Sequence, residues 1–154
     1  MLNTTLNFLC SCCSNQYYID CCQPYHQKKA IASTPEILMR SRYTAFVLKL
    51  DDYLLATHHP STRPVTLDLN NDPYWSSLRI IESNQKLTTG KVHFQAIYKL
   101  NLGWGYLEEK SQFIFEDGHW YYLSGKPKES ILKPARNETC PCGSGIKFKH
   151  CCLL

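Results

Sequence analysis

Cys140-Pro141-Cys142-Gly143-Ser144-Gly145-Ile146-Lys147-Phe148-Lys149-His150-Cys151-Cys152 is the stretch from which the rest of the sequence can be read. Its spacing, CxCx8CC, occurs a second time as Cys10-Ser11-Cys12 followed by Cys21-Cys22, and no cysteine lies between residues 23 and 139. A unit that recurs at both ends of a chain is an internal repeat and asks for one physical explanation. Four thiolates in so short a segment suit a tetrahedral ion, with Zn–S bonds of roughly 2.3 Å. Soft sulfur donors favour zinc, Cu(I) or iron–sulfur chemistry, and a loop this short wraps one small ion, so two zinc ions are expected. The expected ligands are Cys10, Cys12, Cys21 and Cys22 at the front and Cys140, Cys142, Cys151 and Cys152 at the rear. Pro141 stiffens the rear loop, Gly143 and Gly145 let its backbone curl toward the sulfurs, and Lys147 and Lys149 offset the negative charge. Four protein ligands leave no position for water or substrate, which makes these structural rather than catalytic sites. In the front copy Cys13, Asn15 and Asp20 replace Gly143, Gly145 and His150, so Cys13 competes with Cys12 as a ligand. His26 and His150 lie close enough in sequence to substitute, although the repeat favours all-cysteine sites.

The 154 residues fit one domain with small appendages, and 44% hydrophobic with 19% charged residues is a globular balance. Apolar runs reach only about four residues, far short of a membrane span. The opening MLNTTLNFL has neither a basic region nor a small-residue cleavage site, so the thiols are expected reduced and the protein cytoplasmic. The formal charge of +4 counts every thiol as neutral; ionising the eight ligands around two Zn²⁺ brings it to about zero. Basic composition is therefore weak support for nucleic-acid binding. The six Lys and Arg of residues 126–152, against Glu129 and Glu138, read as a solvated face around an anionic metal site before they read as a docking surface.

Between the cysteine clusters the pattern changes from helical to alternating. Ser33 or Thr34 can cap a helix whose first turn holds Pro35 and Glu36 and whose buried stripe is Met39, Tyr43, Phe46 and Leu50. Asp51-Asp52 opens a second helix through Leu55, and Asp72-Pro73 a short third one containing Tyr74 and Trp75. Strands are expected at 78–81, 92–98, 107–115 and 120–123, the last two joined by an Asp117-Gly118 hairpin. Helices followed by about four antiparallel strands make an α+β domain, which can curl around a pocket. The candidate pocket residues are Arg42, Tyr43, His59, Arg63, Tyr98 and Glu109. Arg42 among apolar positions reads as one half of a buried ion pair with Glu109. The pair His58-His59 before Pro60 suits acid–base chemistry or a helix end. No nucleotide loop, nucleophile elbow or HExxH is present, so no catalytic residue is assigned. The reading divides the chain into 1–29, 30–125, a linker at 126–137, and 138–154, with the middle holding a core of its own.

The rear segment resembles the SEC-C zinc motif known from the tail of the protein-export ATPase SecA. The whole chain is similar to the bacterial YchJ-like family. The likeness rests on the front cysteines with Gln23-Pro24-Tyr25-His26 and on Leu38-Met39-Arg40-Ser41-Arg42-Tyr43-Thr44-Ala45-Phe46. It continues through Asp52-Tyr53-Leu54-Leu55-Ala56-Thr57, His59-Pro60-Ser61-Thr62-Arg63 and Trp120-Tyr121-Tyr122. That resemblance implies an NTF2-like cone flanked by two SEC-C motifs, and it brings no established activity. His58 stands where the family pattern has tryptophan and Cys13 where it has glycine. Because the SecA motif engages a chaperone and ribosomes, the resemblance implies a zinc-binding adaptor with a protein or ribosomal partner. A small-ligand binder or enzyme using the cone, and a thiol redox sensor, are the alternatives.

Overall fold

The computed structural model describes residues 7–153; residues 1–6, part of the stretch read above for a leader, and residue 154 lie outside the described residues. Three helices, α1 (Gln23–His26), α2 (Pro35–Leu48) and α3 (Asp51–Ala56), precede five strands. These are β1 (Tyr74–Lys86), β2 (Thr89–Lys99), β3 (Trp104–Glu116), β4 (His119–Ser124) and β5 (Lys128–Leu132). A short 3-10 turn sits inside each cysteine-rich end, at Tyr18–Asp20 and Phe148–His150. No described helix is long and apolar enough to cross a membrane.

The start of α2 is the capped one that the sequence announces: the Ile37 N–H donates to the Thr34 hydroxyl at 3.1 Å, and Pro35 occupies the first turn. Met39 and Tyr43 are buried against the sheet, whereas Phe46 and Leu50 pack beside Leu54 and Leu69 in a separate small cluster. Ser41 and Thr44 are also fully buried, which an amphipathic stripe does not foresee. They lie toward the front cysteine cluster and α1, so α2 is covered on two sides. Ser41 oxygens meet the Tyr53 hydroxyl at 2.7 Å and His26 Nε2 at 2.8 Å, and Thr44 Oγ1 lies 3.5 Å from Cys10 Sγ. Small hydroxyl residues are tolerated in such a helix because each polar atom finds a partner.

The strands pair antiparallel in the order β1-β2-β3-β4. Segment 128–132, expected as part of a linker, is instead β5. It pairs with residues 104–108 of β3, on the edge whose other end (112–116) is taken by β4. Pro127 interrupts what is otherwise one continuous edge. The expected third helix is not formed: Tyr74 and Trp75 open β1, opposite Lys99 and Tyr98. Aromatic side chains favour the pleated surface, and Trp75 packs edge-on to Tyr98 at 5.7 Å, a contact a helix would forgo. The β1–β2 hairpin runs well beyond the strands read from alternation, because residues 82–89 are exposed on both faces and carry no period. The Asp117-Gly118 turn has positive φ at both positions, 49° and 82°, as its sequence requires.

The core lies between α2 and the concave face of the sheet. Leu38, Met39 and Tyr43 meet Leu78, Val92, Phe94, Ala96, Phe113 and Trp120, and Cys10, Cys12 and Cys22 belong to the same cluster. The front cysteines are thus part of the main core, while at the rear only Cys140 and Pro141 are fully buried.

Candidate metal centres and cavity

Two quartets of sulfur atoms, Cys10–Cys12–Cys21–Cys22 and Cys140–Cys142–Cys151–Cys152, each lie within 4.8 Å of one another. None of the nine cysteines is disulfide-bonded. The Sγ separations repeat: Cys12 to Cys21 and Cys142 to Cys151 are both 3.6 Å, and Cys21 to Cys22 and Cys151 to Cys152 both 3.9 Å. These are far too long for disulfides, whose S–S bond is about 2.05 Å. They match the edge of about 3.8 Å of a sulfur tetrahedron with metal–sulfur bonds of about 2.3 Å. The donor set therefore fits a tetrahedral, thiophilic cation.

The surrounding backbone repeats as closely. The Cys10 N–H donates to Gln16 O and the Cys140 N–H to Ile146 O, both at 2.8 Å. Tyr18 N–H to Phe8 O, at 2.9 Å, has its counterpart in Phe148 N–H to Glu138 O, at 2.8 Å. The Ser14 and Ser144 hydroxyls lie 3.1 Å and 3.4 Å from the sulfurs of Cys21 and Cys151. Cys13 and Asn15 adopt φ of 65°, and Gly143 and Gly145 adopt 86° and 80°, so the front copy makes the same left-handed turns without glycine. Gly143 has a second reason: a Cβ there would lie 2.7 Å from Ser76 O of β1.

Cys13 stays outside the front quartet. Its Sγ donates to Ser11 O at 3.6 Å, and burial pushes its pKa up. His26 is not drawn in either. Its Nε2 meets Ser41 O at 2.8 Å and its Nδ1 the Tyr18 hydroxyl at 2.7 Å. Burial holds its pKa below the ordinary value, so it is the neutral tautomer with the proton on Nε2. The thiols split in the same sense at both ends. Contacts from Cys10 and Cys22 pull Cys12 far down and the reciprocal contacts push Cys22 far up. At the rear, hydrogen bonds from Ser144 and Cys140 outweigh burial and lower Cys142 to about 7, while Cys140 raises Cys152 to about 12. A crowded sulfur quartet resists accumulating charge by itself, and a bound divalent cation would remove that resistance.

The rear knuckle docks at the sheet edge formed by β1, and the front knuckle is held by α2 beside it. Ser77 Oγ donates to Pro141 O at 2.9 Å, Arg79 reaches Thr139 O at 3.3 Å, and Arg40 Nη1 holds Cys12 O at 2.8 Å from α2. Leu9, Cys13 and Asn15 of the front knuckle and Thr139, Gly143 and Gly145 of the rear face one another across residues 76–79. They enclose a cleft of about 620 Å³.

A second cavity, of about 320 Å³, opens between α2 and the sheet. Arg42, Tyr43, His58 and Glu109, polar groups that the sequence offers for a pocket, line it together with Asp72, Trp75 and Tyr122, which the sequence reading did not place there. His59, Arg63 and Tyr98 do not line it. His59 turns outward to Glu116, at 2.6 Å, and Ser61, at 2.7 Å; Arg63 Nε holds His58 O; Tyr98 covers Gly105 and Trp75. The expected Arg42–Glu109 ion pair is absent. Arg42 Nη1 instead donates to Leu54 O at 2.8 Å and Thr57 Oγ1 at 2.6 Å, closing the end of α3, and its guanidinium lies 4.8 Å from the Tyr122 ring centre. Burial lowers its pKa to about 10, which leaves it charged at neutral pH. Glu109 accepts from the Ser111 and Tyr122 hydroxyls, so Tyr122 stands between the two charges. Sequence reasoning missed Tyr122 because alternation alone marks it only as a strand residue.

A family model described as the YchJ middle NTF2-like domain matches residues 34–125, and a SEC-C motif model matches residues 136–154. A UPF0225 protein of Shewanella sp. (strain MR-4) is 41% identical, over 94% of this chain and 95% of its own. One from Sodalis glossinidius is 39% identical, over 93% and 96%. The solution structure of RPA3114, a SEC-C motif containing protein from Rhodopseudomonas palustris, has a TM-score of 0.70 at 34% identity, covering 76% of this chain and 96% of that one. The crystal structure of a SEC-C motif containing protein from Psychrobacter arcticus has a TM-score of 0.68 at 31% identity, covering 99% and 98%. With the cone, the repeated sulfur quartets and these relatives in agreement, the chain belongs to the YchJ-like UPF0225 family.

Proposed function

We propose that this protein is a cytoplasmic zinc-binding adaptor, in which two closed four-cysteine knuckles build one protein-binding or ribosome-binding face on a rigid cone. The observation that carries the reading is convergence: knuckles from opposite ends of the sequence, the rear one held on β1 and the front one on α2, line one shared cleft. Closed sulfur coordination supports a structural use of the ions, since it leaves no position for a reacting group. Exposed Leu9, Tyr17 and Ile146 on the knuckles supply apolar contact area, and Lys147 and Lys149 supply charge. Affinity capture from lysate with the intact chain and with a chain lacking residues 136–154 tests the reading, using quantitative mass spectrometry. The adaptor reading requires partners that depend on the rear knuckle; identical partner sets remove it. A redox-sensing role is favoured by one feature, the exposure of Cys152, and mild peroxide that leaves both ions bound excludes it.

A further inference from the structure

Three buried polar atoms around the cone cavity have no hydrogen-bond partner: the Tyr43 hydroxyl, Asp72 Oδ2 and Trp75 Nε1. All three residues line the same cavity of about 320 Å³. A buried polar atom left unsatisfied is destabilising, and folded proteins leave few. Three around a single void call for an occupant that satisfies them. The volume falls at the small end of ligand sites, which run from roughly 300 to 1,000 Å³.

The wall specifies the occupant. Met39, Phe46, Phe94 and Leu107 give it apolar surface, which water alone would leave poorly matched. Arg42 is already engaged with Leu54 O, Thr57 and the Tyr122 ring, and Glu109 with Ser111 and Tyr122. His58 lies against Tyr122, and burial beside Arg42 lowers its pKa, so it adds no charge at neutral pH. The charged lining is then one guanidinium against two carboxylates, with Asp72 holding the oxygen that lacks a partner. Aromatic rings at Tyr43, Trp75 and Tyr122 favour a cation over an anion. Trp75 N–H, a donor only, requires an acceptor on the same molecule.

We propose that this cavity binds a small amphipathic amine that also carries a hydroxyl, ether or carbonyl oxygen. The ammonium donates to Asp72 Oδ2, the oxygen accepts from Trp75 Nε1–H or the Tyr43 hydroxyl, and the hydrocarbon body fills the apolar wall. This site is independent of the adaptor reading.

The test uses the full, zinc-loaded chain labelled with ¹⁵N, titrated with tyramine, 5-hydroxytryptamine and phenylethanolamine up to about 5 mM, weak binding by any measure. The readout is the Trp75 indole N–H resonance, assigned with Trp75→Phe. At least one amine is expected to shift it saturably, and 4-hydroxyphenylacetate, with a tyramine-like body and a carboxylate, to bind about tenfold more weakly or worse. Asp72→Asn, which keeps the shape and removes the charge, is expected to cost the bound amine about tenfold or more. A Trp75 resonance unmoved by every amine overturns the proposal, as does a preference for the acid. Unchanged amine affinity in folded Asp72→Asn overturns it too. Should Asp72→Asn not fold, Trp75→Phe and Tyr43→Phe followed by calorimetry decide, since amine affinity unaltered in both variants overturns the assignment.

Discussion

Cys12 and Cys13 are neighbours with opposite fates. One sulfur joins the front quartet, and the other takes the place held by Gly143 in the rear copy. Cys12→Ser is expected to lower the metal content of the purified protein from two ions to one, whereas Cys13→Ser leaves two. Elemental analysis of both variants against wild type reads the difference. Because Cys10, Cys12 and Cys22 share the main core, Cys12→Ser is also expected to cost about 3 kcal/mol or more, a fall in Tm of roughly 6–12 °C. His26 carries a pH dependence of known sign. Burial lowers its pKa below 6.5, only partly offset by its hydrogen bond to Ser41 O. Above pH 6.5 both folded and unfolded states hold it neutral, and its contribution is complete. As the pH falls below that value the unfolded chain takes up the proton first, and stability drains away toward the lower folded pKa. Wild-type Tm should therefore fall more steeply than that of His26→Gln between about pH 6.5 and 5, and parallel curves would remove His26 as the cause.

At the scale of elements, β1 does the most for assembly. It is the sheet edge, its bulge at Ser76 re-aims the backbone, and the rear knuckle settles there through Ser77, Arg79 and the close approach of Gly143. Gly143→Ala places a Cβ at 2.7 Å from Ser76 O on a residue with φ of 86°, so neither the neighbour nor the turn accommodates it. Hydrogen exchange across residues 136–152 should accelerate by about tenfold to a hundredfold, while the β2–β3 core keeps its protection. An unchanged exchange pattern would show that the knuckle does not depend on this contact. The strands themselves were legible where one face is buried, as at Val92, Phe94 and Ala96. They were not legible at the β1–β2 tip, where both faces are wet and no period is written. Tyr74 and Trp75 show the other kind of miss: the Asp-Pro signal for a helix start is local, and cross-strand packing against Tyr98 overrides it.

At the scale of the molecule the two metal sites are alike in geometry and unlike in burial. Three of the four front cysteines are buried, whereas at the rear only Cys140 is, and Cys152 is exposed. A chelator is therefore expected to take the rear ion first with little change in the unfolding of the cone, and the front ion later with loss of core stability. Metal release followed alongside near-ultraviolet circular dichroism separates the two steps. Simultaneous release with a single unfolding transition would show that both ions belong to one cooperative unit. The expectation that the middle holds a core of its own is thus narrowed at the front, where the knuckle's cysteines and the cone's Tyr43 and Leu78 are buried together.

The sulfur quartets, the capped helix, the Asp117-Gly118 turn and the order of helices before strands were all legible in the chain. Each is a local signal: ligand spacing, a cap, a turn dipeptide or a period is set by residues a few positions apart. That the knuckles share a cleft, that Arg42 closes α3 instead of pairing with Glu109, and that Tyr43, Asp72 and Trp75 surround one cavity came from the folded packing alone. Those facts depend on which distant surfaces come to exclude water from one another, and no short-range pattern in the chain records that.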